Sequence, residues 1–287
     1  MRSAPRHSPP PSRRASDALR WVDQPMKIVV PIKQVAVADD ELQLLDDGAR
    51  ADPDSLEWEL NEWDRFSLEA AVQIRDAVES PESEVLALSV CDERAEDGLR
   101  AALASGADRA VRIWDDTLEE ADPLAVARVL ASAIAPESPD LVLCGAQSSD
   151  AVNSATGVAL AGYLGLPRVA VVRRIELDGA SAAVERELEG GVIELLRVGL
   201  PALLTVQTGI NEPRYATLRA IKQARVEPLV VLAPSDLDLG RDDLLAAAGW
   251  RRRRLAHPER GARAAILDGS TAEVAARIVS IIRERLG

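Results

Sequence analysis

The residues best suited to hold a phosphorylated ligand lie between positions 140 and 167, in the run DLVLCGAQSSDAVNSATGVALAGYLGLP. A short apolar stretch ends at Cys144, and Gly145 permits close backbone approach. Ser148, Ser149, Ser154 and Thr156 offer hydroxyl donors. A helix is predicted to begin around Asn153 to Thr156, where free N–H groups and the positive end of the helix dipole favour an anion. The segment is neither a P-loop nor a Gly-x-Gly-x-x-Gly fingerprint. Ordinary helix capping by Asp150, Asn153 or Ser154 accounts for the same composition. The loop carries no Lys or Arg to neutralise a triphosphate, which points to a monophosphate or a merely bound nucleotide rather than phosphoryl transfer.

Other chemistry is scarce. The chain has two histidines, His7 in a Pro/Arg/Ser-rich leader and His257 beside Pro258, so a buried His acting as base or metal ligand is not expected. Cys91 and Cys144 each follow an apolar run, the usual place for an inert buried thiol in a reducing compartment. A formal net charge of −13 argues against general nucleic-acid binding, which relies on Lys and Arg meeting phosphates. No apolar run approaches the ~20 residues needed to cross a membrane, so no membrane insertion is expected.

The elements that would position the loop follow a regular rhythm. Residues 27–35 (KIVVPIKQV) read as one strand buried on both faces, and Asp46-Asp47-Gly48 as the turn of a small hairpin. Phe66, Ala70, Ile74 and Val78 share one helical face. Strands (VLALSV, RAVRIW, DLVLC) then alternate with helices, one stopped at Gly106 and one opened by Asp122 and Pro123. Such alternation implies an α/β protein with a parallel sheet covered by helices on both faces. After residue 167 four strand-like runs, broken by Asp178-Gly179, Gly190-Gly191 and Pro201, predict an antiparallel extension of the same sheet. Residues 1–25 read as a disordered leader or an upstream start before Met26; read as a transit peptide, they would direct the chain to the mitochondrial matrix rather than a bacterial cytoplasm. From about 234 a polar arm with an Arg251–Arg254 run leads to a final helix. Ser270 and Glu273 form its capping box, and Val274, Ile278, Ile281, Ile282 and Leu286 form an apolar stripe.

Two further segments are distinctive. Residues 184–205 (VERELEGGVIELLRVGLPALLT) contain Val184-x-Arg186, Glu189-Gly190-Gly191, Glu194-x-Leu196 and Pro201-x-Leu203-Leu204-Thr205. A polar loop, Asn211-Glu212-Pro213-Arg214-Tyr215-Ala216, brings together an Arg and one of only two tyrosines, residue types favoured as interface anchors. With the opening strand KIVVPIKQV and the turn Asn61-Glu62-Trp63-Asp64, these motifs resemble the β subunit of electron-transfer flavoproteins from about residue 27 to the C-terminus.

The resemblance implies a Rossmann-like fold of the adenine-nucleotide α-hydrolase type, over residues 26–233, with residues 234–287 as an arm that embraces an α subunit. It implies AMP in a pocket made by Pro31, by Asn61, Glu62, Trp63 and Asp64, by Val90, and by Gly145, Ala146, Gln147, Ser148, Ser149, Asp150, Asn153, Ser154 and Thr156. Some family members hold a second FAD in place of AMP. Glu62, Ala151, Val152 and Ala155 depart from the family's pattern. The α subunit would hold the redox-active FAD, acyl-CoA or other dehydrogenases would donate electrons through the 211–216 loop, and a quinone oxidoreductase would accept them. The β chain itself would perform no side-chain catalysis. The competing expectation is a stand-alone nucleotide module of the universal-stress or ATP-pyrophosphatase kind, which shares the layout. The pyrophosphatase would need a Ser-Gly-Gly-type loop where this chain has Ile32-Lys33-Gln34-Val35, and a stress module would leave residues 184–287 without purpose.

Overall fold

The computed structural model describes residues 25–38, 43–46, 50–78, 80–119, 121–250, 254–256 and 264–286. The leader up to residue 24, the 47–49 part of the predicted turn, Arg251 to Arg253 and His257 lie outside them.

Nine strands form one sheet in the order β11-β5-β4-β1-β6-β10-β7-β8-β9. The central members are β1 (Lys27–Pro31), β4 (Glu84–Val90), β5 (Arg109–Ile113), β6 (Leu141–Gly145), β10 (Ala202–Val206) and β7 (Arg168–Asp178). With the short edge strand β11 (Val230–Leu232), all of these pair in parallel. β8 (Ser181–Glu187) and β9 (Ile193–Gly199) then continue the sheet antiparallel from β7.

The helices cover both faces because successive strand residues point to opposite sides. Ile28 and Val30 of β1 face a core shared with α1 (Glu62–Ala77) and α2 (Ala95–Ala104). Val29 faces the other core, with α3 (Pro123–Ile134), α4 (Thr156–Leu164) and α6 (Arg241–Ala247). Asp122 accepts from the N–H groups of Leu124 and Ala125, at 3.0 and 2.9 Å, and so starts α3 as its cap. The fold class expected from the alternating pattern is therefore present.

Two local expectations change. The run 27–35 is not one strand: β1 stops at Pro31, and residues 34–38 (β2) leave to pair antiparallel with β3 (Leu56–Leu60) in a separate ribbon. Asp47 and Gly48 of the expected turn lie outside the described residues, and beside them Leu44 and Ala51 form an antiparallel bridge. The four runs after 167 are not all antiparallel, since β10 inserts between β6 and β7 in parallel with both. Its five residues are all buried, as the unbroken apolar run ALLTV requires of a strand covered on both faces. The insertion bends β7: Val171 takes φ +61°, an unfavourable conformation for a β-branched residue, and its N–H is met by Thr205 Oγ1 at 3.0 Å.

Residues 234–250 pack against α3, burying Leu239 and Leu244. Asp122 then uses its second oxygen to accept from Gly249 N at 2.6 Å and Trp250 N at 3.0 Å. Beyond this clamp lies α7 (Thr271–Leu286), opened by the Ser270 N–H donating to Glu273 Oε2 at 2.8 Å. None of its residues is buried.

Candidate functional site at the β1 and β6 strand ends

Strand order reverses between β1 and β6. From β1 the chain builds outward through β4 and β5, and from β6 it builds the other way. In open parallel sheets ligands collect in the crevice outside the strand ends at such a reversal. The loops after β1 and β6 meet there, and the start of α1 closes over them.

Asp64 is the pin. Its carboxylate is buried and accepts from Lys33 N at 2.7 Å and Gly145 N at 3.2 Å, so one side chain on α1 holds the ends of both strands. Gly145 is required beside it, because a Cβ there would run into Asp64 Oδ1 and come within 2.7 Å of Trp63 Cβ. Burial raises the Asp64 pKa to about 7, although hydrogen bonds from Lys33, Asn61 and Gly145 and the Lys33 charge pull the other way. Cys144, buried beneath it, has its thiol pushed far up by burial and by the Asp64 charge, and burial lifts Cys91 to about 11. Neither thiol is a nucleophile at neutral pH.

Asn61, also buried, spans the next turn of the loop. Its Nδ2 donates to Gln147 O at 2.9 Å, and its Oδ1 accepts from Ser149 N at 3.2 Å. Farther along, Ser154 Oγ donates to Gln147 Oε1 at 3.3 Å, while Val152 and Ser154 both adopt positive φ, near 50°. Trp63 turns aside, its Nε1 donating to Gln207 Oε1 at 3.1 Å beyond the end of β10.

Sequence reading left two features of this loop open or unseen. Capping was one explanation for Asp150, Asn153 and Ser154, yet α4 starts at Thr156 behind Ala155 with no side-chain cap. Its first-turn N–H groups are thus without side-chain acceptors, unlike those of α3. The loop also has a cation after all. Lys33, brought in by the bend after β1, donates from Nζ to Asp150 Oδ1 and Oδ2 at 2.6 and 2.7 Å and to Ser148 Oγ at 3.2 Å. The signal was the break between Pro31 and Gln34, hidden inside what read as one strand. Of the other predicted pocket residues, Pro31 is buried within β1, Val90 is half-buried at the end of β4, and Glu62, Ser149 and Asn153 are exposed.

The 211–216 loop lies against the middle of α1 instead. Asn211 Nδ2 donates to Phe66 O at 3.0 Å. Arg214 is not a free surface cation: it grips Glu69, which burial pushes up but the Arg214 hydrogen bonds and charge hold below the usual carboxylate range. Tyr215 stands out at 96% exposure, and the neighbouring Leu218, which sequence reading did not single out, is 79% exposed at the start of α5 (Leu218–Val226). Alternation of Leu218, Ile221 and Val226 with Arg219, Lys222 and Arg225 was the available signal. Among the described residues no cluster of His, Cys, Asp and Glu could hold a metal ion, and no helix is long and apolar enough to cross a membrane.

Comparison with known proteins identifies the family. The profile of the electron transfer flavoprotein domain matches residues 52–237. The chain is 43% identical over 265 residues to an electron transfer flavoprotein subunit beta of Methylophilus methylotrophus, covering 91% of this chain and 100% of that protein. It is 34% identical over 246 residues to the Bacillus subtilis subunit beta, covering 85% and 93%. Against the mitochondrial subunit beta of Oryza sativa subsp. indica it is 36% identical over 216 residues, covering 75% and 84%. By fold, by motif and by these relatives, the chain belongs to the electron transfer flavoprotein β-subunit family.

Proposed function

We propose that this chain pairs with a flavin-carrying α subunit, holds AMP at the β1 and β6 strand ends, and supports electron flow from dehydrogenases such as the acyl-CoA type, through the partner's FAD, to a quinone oxidoreductase. The observation that carries the nucleotide half is the uncapped start of α4. Its N–H donors suit a single phosphate group. A second FAD in place of AMP would ask the same loop to hold a pyrophosphate.

The partner half draws on α7. Val274, Ile278, Ile281, Ile282 and Leu286 make a stripe on α7 that is not buried among the described residues of this chain. Burying such a stripe on the α subunit supplies roughly 25 cal/mol per Å² of apolar surface removed from water. Tyr215 and Leu218 offer the exposed surface for an electron donor. FAD supplies the redox chemistry when bound; this chain's side chains supply position and environment.

The test is to purify the chain with its α subunit and identify the nucleotide released on denaturation. One equivalent of AMP, retained when residues 271–287 are present and the partner stays bound, is the expected result. A stable monomer that carries ATP and ignores the flavoprotein partner would overturn the proposal.

A further inference from the structure

We infer that Asp150 is a charge filter: by occupying Lys33, it makes the 145–156 site select a nucleoside monophosphate over ligands with two or more phosphate groups. The inference rests on the nucleotide reading above and adds the residue that sets its specificity.

The argument starts from the donors available to a phosphate. The uncapped end of α4 provides backbone N–H groups and a partial positive charge of about half a unit, enough for one phosphate. Anything more anionic needs a full cation, and the cation present is Lys33. That ammonium is already committed, donating to both oxygens of Asp150 and to Ser148 Oγ. An ammonium has three donors, so none is left over.

A second phosphate group could reach Lys33 only by displacing Asp150. The displaced carboxylate would then stand unpaired beside the added negative charge. Asp64 lies on the same side, buried under Gly145, and becomes a second repelling carboxylate when ionised. Each further phosphate therefore meets more repulsion without gaining a partner.

Asp150 suits this role because it is not needed to hold the loop. Asn61 fixes Gln147 and Ser149, and Asp64 fixes Gly145, so the loop keeps these anchors without Asp150, which sits at the exposed turn bonded to Lys33 and to its loop neighbours Ser148 and Ala151.

The experiment uses the complex of the chain with its α subunit, freed of endogenous nucleotide and titrated calorimetrically with AMP, ADP and ATP. Wild type is expected to bind AMP most tightly. In Asp150→Asn and Asp150→Ser the ATP-to-AMP affinity ratio should rise about tenfold, a gain that shrinks as salt screens the charges. Lys33→Met should show no such gain, since it leaves Asp150 to repel the ligand. An ATP-to-AMP ratio unchanged in both Asp150 variants, or a wild type that already prefers ATP, overturns the filter while leaving a nucleotide site in place. A wild-type complex that binds none of the three overturns the nucleotide reading itself, and the filter with it. Unchanged FAD content and thermal midpoint in the variants confirm that the fold survived.

Discussion

Arg214 and Glu69 join the exposed 211–216 loop to the buried face of α1. Arg214 Nε meets Glu69 Oε2 at 2.7 Å, Nη2 meets Oε1 at 3.1 Å, and the Arg214 backbone N–H adds a third bond to Oε2 at 3.2 Å. The pair is lopsided, since the Glu69 side chain is 6% exposed and that of Arg214 38%. Arg214→Ala would strand a buried carboxylate, whereas Glu69→Ala would leave a cation able to turn toward water. Denaturant titration should therefore find Arg214→Ala the more damaging, by about 2–3 kcal/mol against about 1 for Glu69→Ala, after discounting for the solvent around Arg214. Equal losses would mean that the loop is held by something other than this pair.

Tyr215 separates docking from stability. At 96% exposure its truncation should change stability by no more than about 0.5 kcal/mol. Tyr215→Ala is expected to slow reduction of the partner's flavin by a dehydrogenase, with nucleotide content intact, as stopped-flow absorbance would report. Unchanged rates at all donor concentrations would remove Tyr215 from the docking surface. Arg214→Ala is the poorer probe, because it also loosens the loop.

Asp64 predicts a pH dependence whose sign is fixed by burial. The folded chain keeps the proton up to about pH 7, while the unfolded chain releases it in the ordinary carboxylate range. The folded state thus binds more protons between about pH 4 and 7, and stability falls as pH rises through that window. A displacement of this size costs on the order of 4 kcal/mol once the pH is above 7. Asp64→Asn should flatten the slope of the thermal midpoint between about pH 5 and 8. A wild-type slope that persists in the variant would place its origin elsewhere.

Asp122 predicts that the arm can be loosened without touching it. Asp122→Ala removes the α3 cap, worth about 1 kcal/mol, and also frees Gly249 and Trp250. Limited proteolysis should then cut first just after residue 250, and co-purification with the α subunit should drop. Gly249→Ala is the local counterpart, since a Cβ there would come within 2.7 Å of Leu124 Cδ1. If neither variant speeds cleavage, the clamp does not set the arm's path.

Much of the fold was legible because periodicity reports burial. KIVVP, VLALSV and DLVLC are continuous apolar runs that belong in a parallel sheet, and Asp122-Pro123 announced α3 in the order that a cap and first turn require. What was not legible depended on pairing. Nothing in ALLTV states that it lies between β6 and β7, since an apolar run declares burial and not its neighbours. The same limit hid Lys33, which reads as an interruption in an apolar stretch until a break at Ile32 swings it over a loop 115 residues away. Arg214 misled for a related reason: a charged residue in a polar loop looks free until Glu69, which reads as an ordinary helix-surface acid, proves to be buried beneath it.

The late arrival of β10 has a consequence for how the protein is made. β6 and β7 are synthesised well before residues 202–206, yet the strand that pairs with both is the one those residues form. Until then the nascent chain carries two unpaired parallel edges and no closed sheet. Completion of the sheet is therefore a late event on the ribosome. A chain released before residue 206 would expose the facing flanks of β6 and β7 to pairing with another copy.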